Sequence, residues 1–144
     1  MYGTVIVPVD GSDESYAAVE EAVGITAPEG TVHALTVIEE LPMHKRSGKG
    51  DKLEGRSDAN DRERASEATE AATRLAEDAD VETITAVRTG VPGREIVSYA
   101  EEVGADAIVI GKRGADEAAT DMLGSTSERV LKEAPTAIVA VPRT

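Results

Sequence analysis

Short apolar runs alternate along the chain with stretches in which apolar positions recur three and four residues apart. Thr4-Val5-Ile6-Val7-Pro8-Val9 is β-branched and apolar on both faces, which predicts a strand inside a parallel sheet. Asp10-Gly11-Ser12-Asp13 punctuates it, with Ser12 set to cap a helix. Tyr16, Val19, Val23 and Thr26 then repeat at helical spacing, and Glu14, Glu20 and Glu21 fall outside the stripe. Val32 to Ile38 reads as a second strand. Arg62 to Ala79 reads as a long helix with the small residues Ala65, Ala68, Ala72, Ala76 and Ala79 on one stripe. Val81 to Thr89 is a third strand, polar enough to sit near a sheet edge. Pro92 suits the first turn of a helix continuing through Ile96, Val97, Ala100 and Val103, and Gly104 suits its end. Ala107 to Ile110 is a fourth strand. Ser125 or Thr126 is expected to cap a last helix running to Glu133; Pro135 ends it, and Thr136 to Val141 is a fifth strand.

Five strands alternating with four helices make an α/β fold. A single domain over residues 1–144 is expected, with an open parallel five-stranded sheet and helices on both faces. In such sheets, ligands sit beyond the carboxyl ends of the strands, where the strand order reverses. That rule brings together the turn after strand one, the end of strand two at Val37 and Ile38, and the connection after strand four. Leu41 to Asp58 breaks the alternation. It lacks apolar periodicity and holds Lys45, Arg46, Lys49, Lys52 and Arg56, a third of the chain's 15 basic residues. It reads as a flexible basic surface loop; the sharper alternative is a lid over a bound polyphosphate.

Composition narrows the classes. Apolar residues make up 40 % of the 144, but aromatics only 2 %, so the core must be built from Val, Ile, Leu and Ala. The absence of cysteine excludes disulfides and thiolate metal sites. No apolar stretch approaches the roughly 20 residues that span a bilayer. With no signal-peptide pattern before the first strand, the expectation is a cytoplasmic protein without membrane contact. A net charge of −13, from 28 acids and 15 bases, argues against general nucleic-acid binding, which needs a basic face. The same acidity, with few bulky apolar residues, looks like adaptation to a salt-rich cytoplasm. A merely acidic protein is the plainer alternative.

Candidate chemistry concentrates between Gly111 and Thr126. Gly111-Lys112-Arg113-Gly114 can turn successive backbone N–H groups into one concavity and hold an anion. Gly124-Ser125-Thr126 offers free N–H groups and hydroxyls at a helix start, which also attract phosphate. Ala115 to Leu123 would arch between the two. Asp10 could accept hydrogen bonds from ribose hydroxyls, while Pro8, Val9 and Val37 could wall an adenine. A tight turn followed by a capped helix is the bland alternative.

The spacing Gly111, two residues, Gly114, nine residues, Gly124-Ser125 resembles the phosphate-binding pattern of the universal stress protein family, in its nucleotide-binding branch. "VPVDGSDES", "GVPGREIVSYAEEVGADAIVIG" and "GSTSERVLKEAPTAIVAVP" resemble other segments of that family in the same order, so the likeness covers nearly the whole chain. It implies a sheet of order 3-2-1-4-5, ATP (or AMP or ADP) at the switch point with Mg2+ on its phosphates, and a homodimer through the last strand. It further implies that Asp10 contacts ribose beside Pro8 and Val9, and that Val37 meets adenine through its backbone. Gly111, Gly114, Gly124, Ser125 and Thr126 would hold phosphates, with Lys112 and Arg113 in variable positions. Asp116, Glu117 and Asp121 stand where the family often has bases; a divalent cation or high salt would offset their charge.

Other chemistries lack their signatures. G-x-G-x-x-G is missing, and "GKG" at Gly48 to Gly50 lacks the rest of a P-loop. His33 falls in a strand and reads as a packed or hydrogen-bonded residue, His44 as a solvated one, and the two have no metal-ligand spacing. No nucleophile elbow exists, so no catalytic and no metal-binding residue is assigned. Slow ATP hydrolysis is open to any site with water near a γ-phosphate, but nothing here is built to activate that water. Two readings stand: a nucleotide-regulated dimer that engages a protein partner in stress signalling, or an interaction dimer whose pocket is vestigial or holds another anion. Thr136 to Val141 carries no charge, and an uncharged apolar edge usually finds a partner.

Overall fold

A computed structural model describes residues 1–39, 48–111 and 124–142, with side chains described outside 48–59. Five strands, β1 (Tyr2–Pro8), β2 (Thr26–Glu39), β3 (Glu82–Gly90), β4 (Ala107–Gly111) and β5 (Ala137–Val141), form one sheet in the order β3-β2-β1-β4-β5. Every neighbouring pair is parallel. Helices α1 (Asp13–Ile25), α2 (Gly48–Asp78), α3 (Pro92–Val103) and α4 (Ser125–Glu133) connect them. This is the expected α/β architecture and the expected order.

Alternation along the strands builds two cores. Val5, Val7, Val32, Ala34, Ala107 and Val109 face α1 and α2, where Ala18, Val19, Ala22, Ala68 and Ala72 cover them. Ile6, Leu35, Ile108 and Ile110 face the other side, under Ile96, Tyr99 and Ala100 of α3 and Val130 of α4. Both faces of β1 and β4 are therefore dry, which is why those strands read as unbroken apolar runs. The alanine stripe works as expected at Ala65, Ala68, Ala72 and Ala76, all at most 1 % exposed. Small side chains there let a long helix approach the sheet closely. Ala79 lies past the helix end and is exposed.

The element ends hold both matches and corrections. Ser12 caps α1, accepting the backbone N–H of Ser15 at 3.1 Å. Pro92 opens α3, and Gly104 closes it in the left-handed region at φ 64°. Helix α2, by contrast, begins at Gly48 rather than Arg62, so the later part of the 41–58 segment is helical. Residues 48–61 hold three Gly and three Asp, poor helix formers that hide the helix from a sequence reading, but extending a formed helix is far easier than starting one. Residues 40–47, with His44, Lys45 and Arg46, lie outside the described residues. Helix α4 is capped by Gly124, not by Ser125 or Thr126, which are its first two residues. β2 also runs longer than expected, starting at Thr26 as soon as α1 ends.

Candidate functional site

The sheet order reverses between β1 and β4. Their ladder records Val5–Ala107 and Ile6–Ile108 and stops there. On either side pairing continues, to Pro8–Leu35 between β1 and β2 and to Gly111–Val141 between β4 and β5. β1 and β4 thus part over their carboxyl ends and leave a crevice, as the switch point of such a sheet requires. At the offset of the last pairs, Val9 comes level with Gly111.

The β1 side of the crevice is fixed by β2. The Val9 N–H donates to the Leu35 carbonyl at 2.8 Å, and the Thr36 hydroxyl donates to the Val9 carbonyl at 2.9 Å. Val9 is buried, Pro8 and Val37 are half-buried, and Val37 lies two residues beyond Leu35 on β2. Next comes an exposed turn. The Asp10 carboxylate accepts the Ser12 N–H at 2.9 Å, and Gly11 takes φ 86°, which a side chain would resist. This folds the chain back into α1 and leaves Asp10 exposed at the mouth of the crevice.

The β4 side is fixed by α4. The Ser127 hydroxyl, in the first turn of α4, donates to the Gly111 carbonyl at 3.0 Å, sixteen residues back along the chain. Ser127 is 7 % exposed. Gly111 and Gly124 are thereby drawn together although twelve residues separate them in sequence. Gly124 is buried, Thr126 half-buried and Ser125 exposed. Gly124 has no side chain to cap with, and the first bond inside the helix runs from the Glu128 N–H to the Gly124 carbonyl at 2.9 Å. The first-turn N–H groups of Ser125 and Thr126 therefore have no cap side chain to occupy them. Lys112, Arg113, Gly114 and the arch residues Asp116, Glu117 and Asp121 lie outside the described residues.

The structure thus gathers Pro8, Val9, Asp10 and Val37 on one side, and Gly111, Gly124, Ser125 and Thr126 on the other. Sequence reasoning missed Thr36 and Ser127, whose hydroxyls tie the two sides into place. Among the described residues, no group of three or more His, Cys, Asp or Glu could hold a metal ion.

Among the described residues, a cluster of titratable groups with shifted pKa values lies between β2, β3 and α3. His33 is buried, with Nδ1 2.8 Å from the Tyr99 hydroxyl, and burial lowers its pKa below 6.5. Burial raises the Tyr99 phenol. Arg88 lies 4.9 Å from the Tyr99 ring centroid and forks onto the exposed Glu102 carboxylate at 2.6 and 2.7 Å. That hydrogen bond holds Glu102 below its usual range. This cluster clamps α3 to the β3 edge.

The chain matches the universal stress protein family over residues 1–142. It belongs to that family. It is similar to a universal stress protein of Methanocaldococcus jannaschii, MJ0531, at 34 % identity over 99 % of this chain and 85 % of that one. Among solved structures it resembles hypothetical protein MJ0577, with a TM-score of 0.86 and 26 % identity over 100 % and 98 % of the two chains. It also resembles a universal stress protein solved in complex with cAMP, with a TM-score of 0.69 and 26 % identity over 97 % and 96 %. Among the described residues of this chain, no helix is long and apolar enough to cross a membrane.

Proposed function

We propose that this universal stress protein is a cytoplasmic, nucleotide-regulated dimer that binds an adenine nucleotide between β1 and β4 and engages a protein partner. The crevice at the switch point carries the reading, because it brings Gly111 and Gly124 together at the spacing of the family's phosphate pattern. Adenine packs against Pro8, Val9 and the Val37 backbone, and ribose meets Asp10. The phosphates lie on the N–H groups of Gly111 to Gly114 and Gly124 to Thr126, with Mg2+ bridging them to the acidic arch. ATP is the expected ligand, since the pattern spans two phosphate-binding ends. A structural relative solved with cAMP supports the adenine class.

The second chain joins through Thr136 to Val141. β5 is a sheet edge whose Ala137 and Ala140 are exposed and whose Ile138 and Val139 are half-buried. Without charge to protect it, such an edge favours pairing with its own copy.

The test is to extract purified protein with acid, identify any bound nucleotide, and titrate ATP calorimetrically in high salt with magnesium. Gly124→Val, which places a branched side chain at the cap, should abolish the binding heat while the dimer persists by light scattering. An empty wild-type pocket with no heat at millimolar ATP refutes the reading. The chain would then act as an interaction dimer with a vestigial or other-anion pocket.

A further inference from the structure

Ser127 is the one described side chain that ties the end of β4 to the first turn of α4. The oxygen it engages matters. A concavity that holds an anion must present N–H groups and keep carbonyl oxygens turned away, because each carbonyl oxygen carries partial negative charge. Gly111 closes β4 at the crevice, and its carbonyl oxygen is one such group. The Ser127 hydroxyl occupies that oxygen at 3.0 Å and directs it at α4. The same bond sets where the N–H groups of Ser125 and Thr126 stand relative to Gly111.

Its place in the helix is also telling. Ser127 is the third residue of α4, and its buried hydroxyl bonds across to β4 rather than back to its own cap. A hydroxyl at that position commonly serves its own helix end. Here it serves the connection between two elements.

We infer that Ser127 is a positioning residue for phosphate: it sequesters the Gly111 carbonyl, holds the two ends of the phosphate loop in register, and so sets the affinity for the phosphate portion of the nucleotide. It touches no ligand itself. The inference rests on the nucleotide reading above and adds a residue that acts on phosphate but not on the nucleoside.

The test compares ATP, AMP and adenosine by titration calorimetry on the wild-type chain, Ser127→Ala and Ser127→Thr. Removing one hydrogen bond of this kind should weaken ATP and AMP by roughly three- to tenfold in Kd. Adenosine should bind Ser127→Ala as it binds wild type, and Ser127→Thr, which keeps the hydroxyl, should restore the phosphate-dependent part. If Ser127→Ala does not fold, Ser127→Cys, similar in size with a weaker donor, carries the same comparison. ATP binding unchanged in the variant overturns the inference alone. An equal loss for adenosine and ATP also overturns it, since that is what general loosening of the fold would produce. A wild-type chain that binds none of the three overturns the nucleotide reading and this inference with it.

Discussion

Gly93 lies in the first turn of α3, buried against α4. A Cβ built there would stand 2.8 Å from Cδ of Arg129 and 3.0 Å from its Cβ and Cγ. The outer atom can swing aside, but the Arg129 Cβ is fixed to the α4 backbone. Gly93→Ala therefore forces the two helices apart by a few tenths of an ångström. Overpacking of this kind costs about 1–3 kcal/mol, against which alanine's better helix propensity returns at most about 1 kcal/mol. The net loss expected is about 1–2 kcal/mol, or roughly 3–8 °C in Tm for a domain of this size. Calorimetry and urea unfolding measure it, with the urea midpoint falling at unchanged slope. Arg129→Ala alone removes an exposed pair with Glu133 at 3.0 Å, a loss of about 0.3–0.5 kcal/mol. Combined with Gly93→Ala it deletes two of the three clashing atoms, so the double variant should recover part of the loss, a coupling of about 0.5–1 kcal/mol. A Gly93→Ala protein as stable as wild type, or strictly additive losses in the double variant, would refute the steric argument.

The remaining predictions concern charge and burial. His33 has its pKa lowered by burial, so the unfolded chain takes up the proton first as pH falls. Its contribution is complete above the unfolded value near 6.5 and is lost as pH drops below it. Urea midpoints should decline on that acid side, and the decline should flatten in His33→Gln; an unaltered pH profile in the variant argues against it. Tyr99→Phe removes the hydroxyl 2.8 Å from His33 Nδ1 and should cost about 1–3 kcal/mol, read as a lowered urea midpoint. The net charge of −13 should make the chain salt-dependent, with Tm rising as KCl is added because acid–acid repulsion is screened. A Tm indifferent to KCl removes the case for salt adaptation.

Features set by one segment's own chemistry were legible in the sequence. The polar pattern of Glu82, Thr83, Thr85 and Arg88 placed β3 at the edge where it lies, because an edge strand keeps polar groups in water. Gly104 and Pro92 marked the ends of α3 through backbone constraints that act locally. What escaped depends on partners far along the chain. His33 meets Tyr99 across 66 residues, Thr36 meets Val9 across 27, and Ser127 meets Gly111 across 16. None of these residues differs in type or spacing from an ordinary strand or helix residue. The start of α2 escaped for the opposite reason: residues 48–61 lack an apolar stripe and hold three Gly and three Asp, so their helicity comes from extension of the nucleated helix that follows.

The hydrogen bonds at the crevice also divide the work of binding unequally. The end of β1 is held to β2 twice, through Val9 N–H to Leu35 and Thr36 to the Val9 carbonyl, both continuous with a long ladder. Weakening one of those bonds leaves the other and the ladder in place. The end of β4 is held to β5 by a ladder that reaches Gly111–Val141 and, among the described side chains, to the first turn of α4 by the Ser127 hydroxyl. The nucleoside side of the proposed site is thus held by two bonds at the end of its ladder, and the join of β4 to the first turn of α4 on the phosphate side is made, among the described side chains, by Ser127. Substitutions around Val9 and Thr36 should then change overall stability more than ligand preference, whereas those around Ser127 should shift the ranking of ATP, AMP and adenosine. Adjustment of the proposed site to the phosphate content of its ligand is therefore expected most directly at the β4 side, where the Ser127 hydroxyl joins Gly111 to α4.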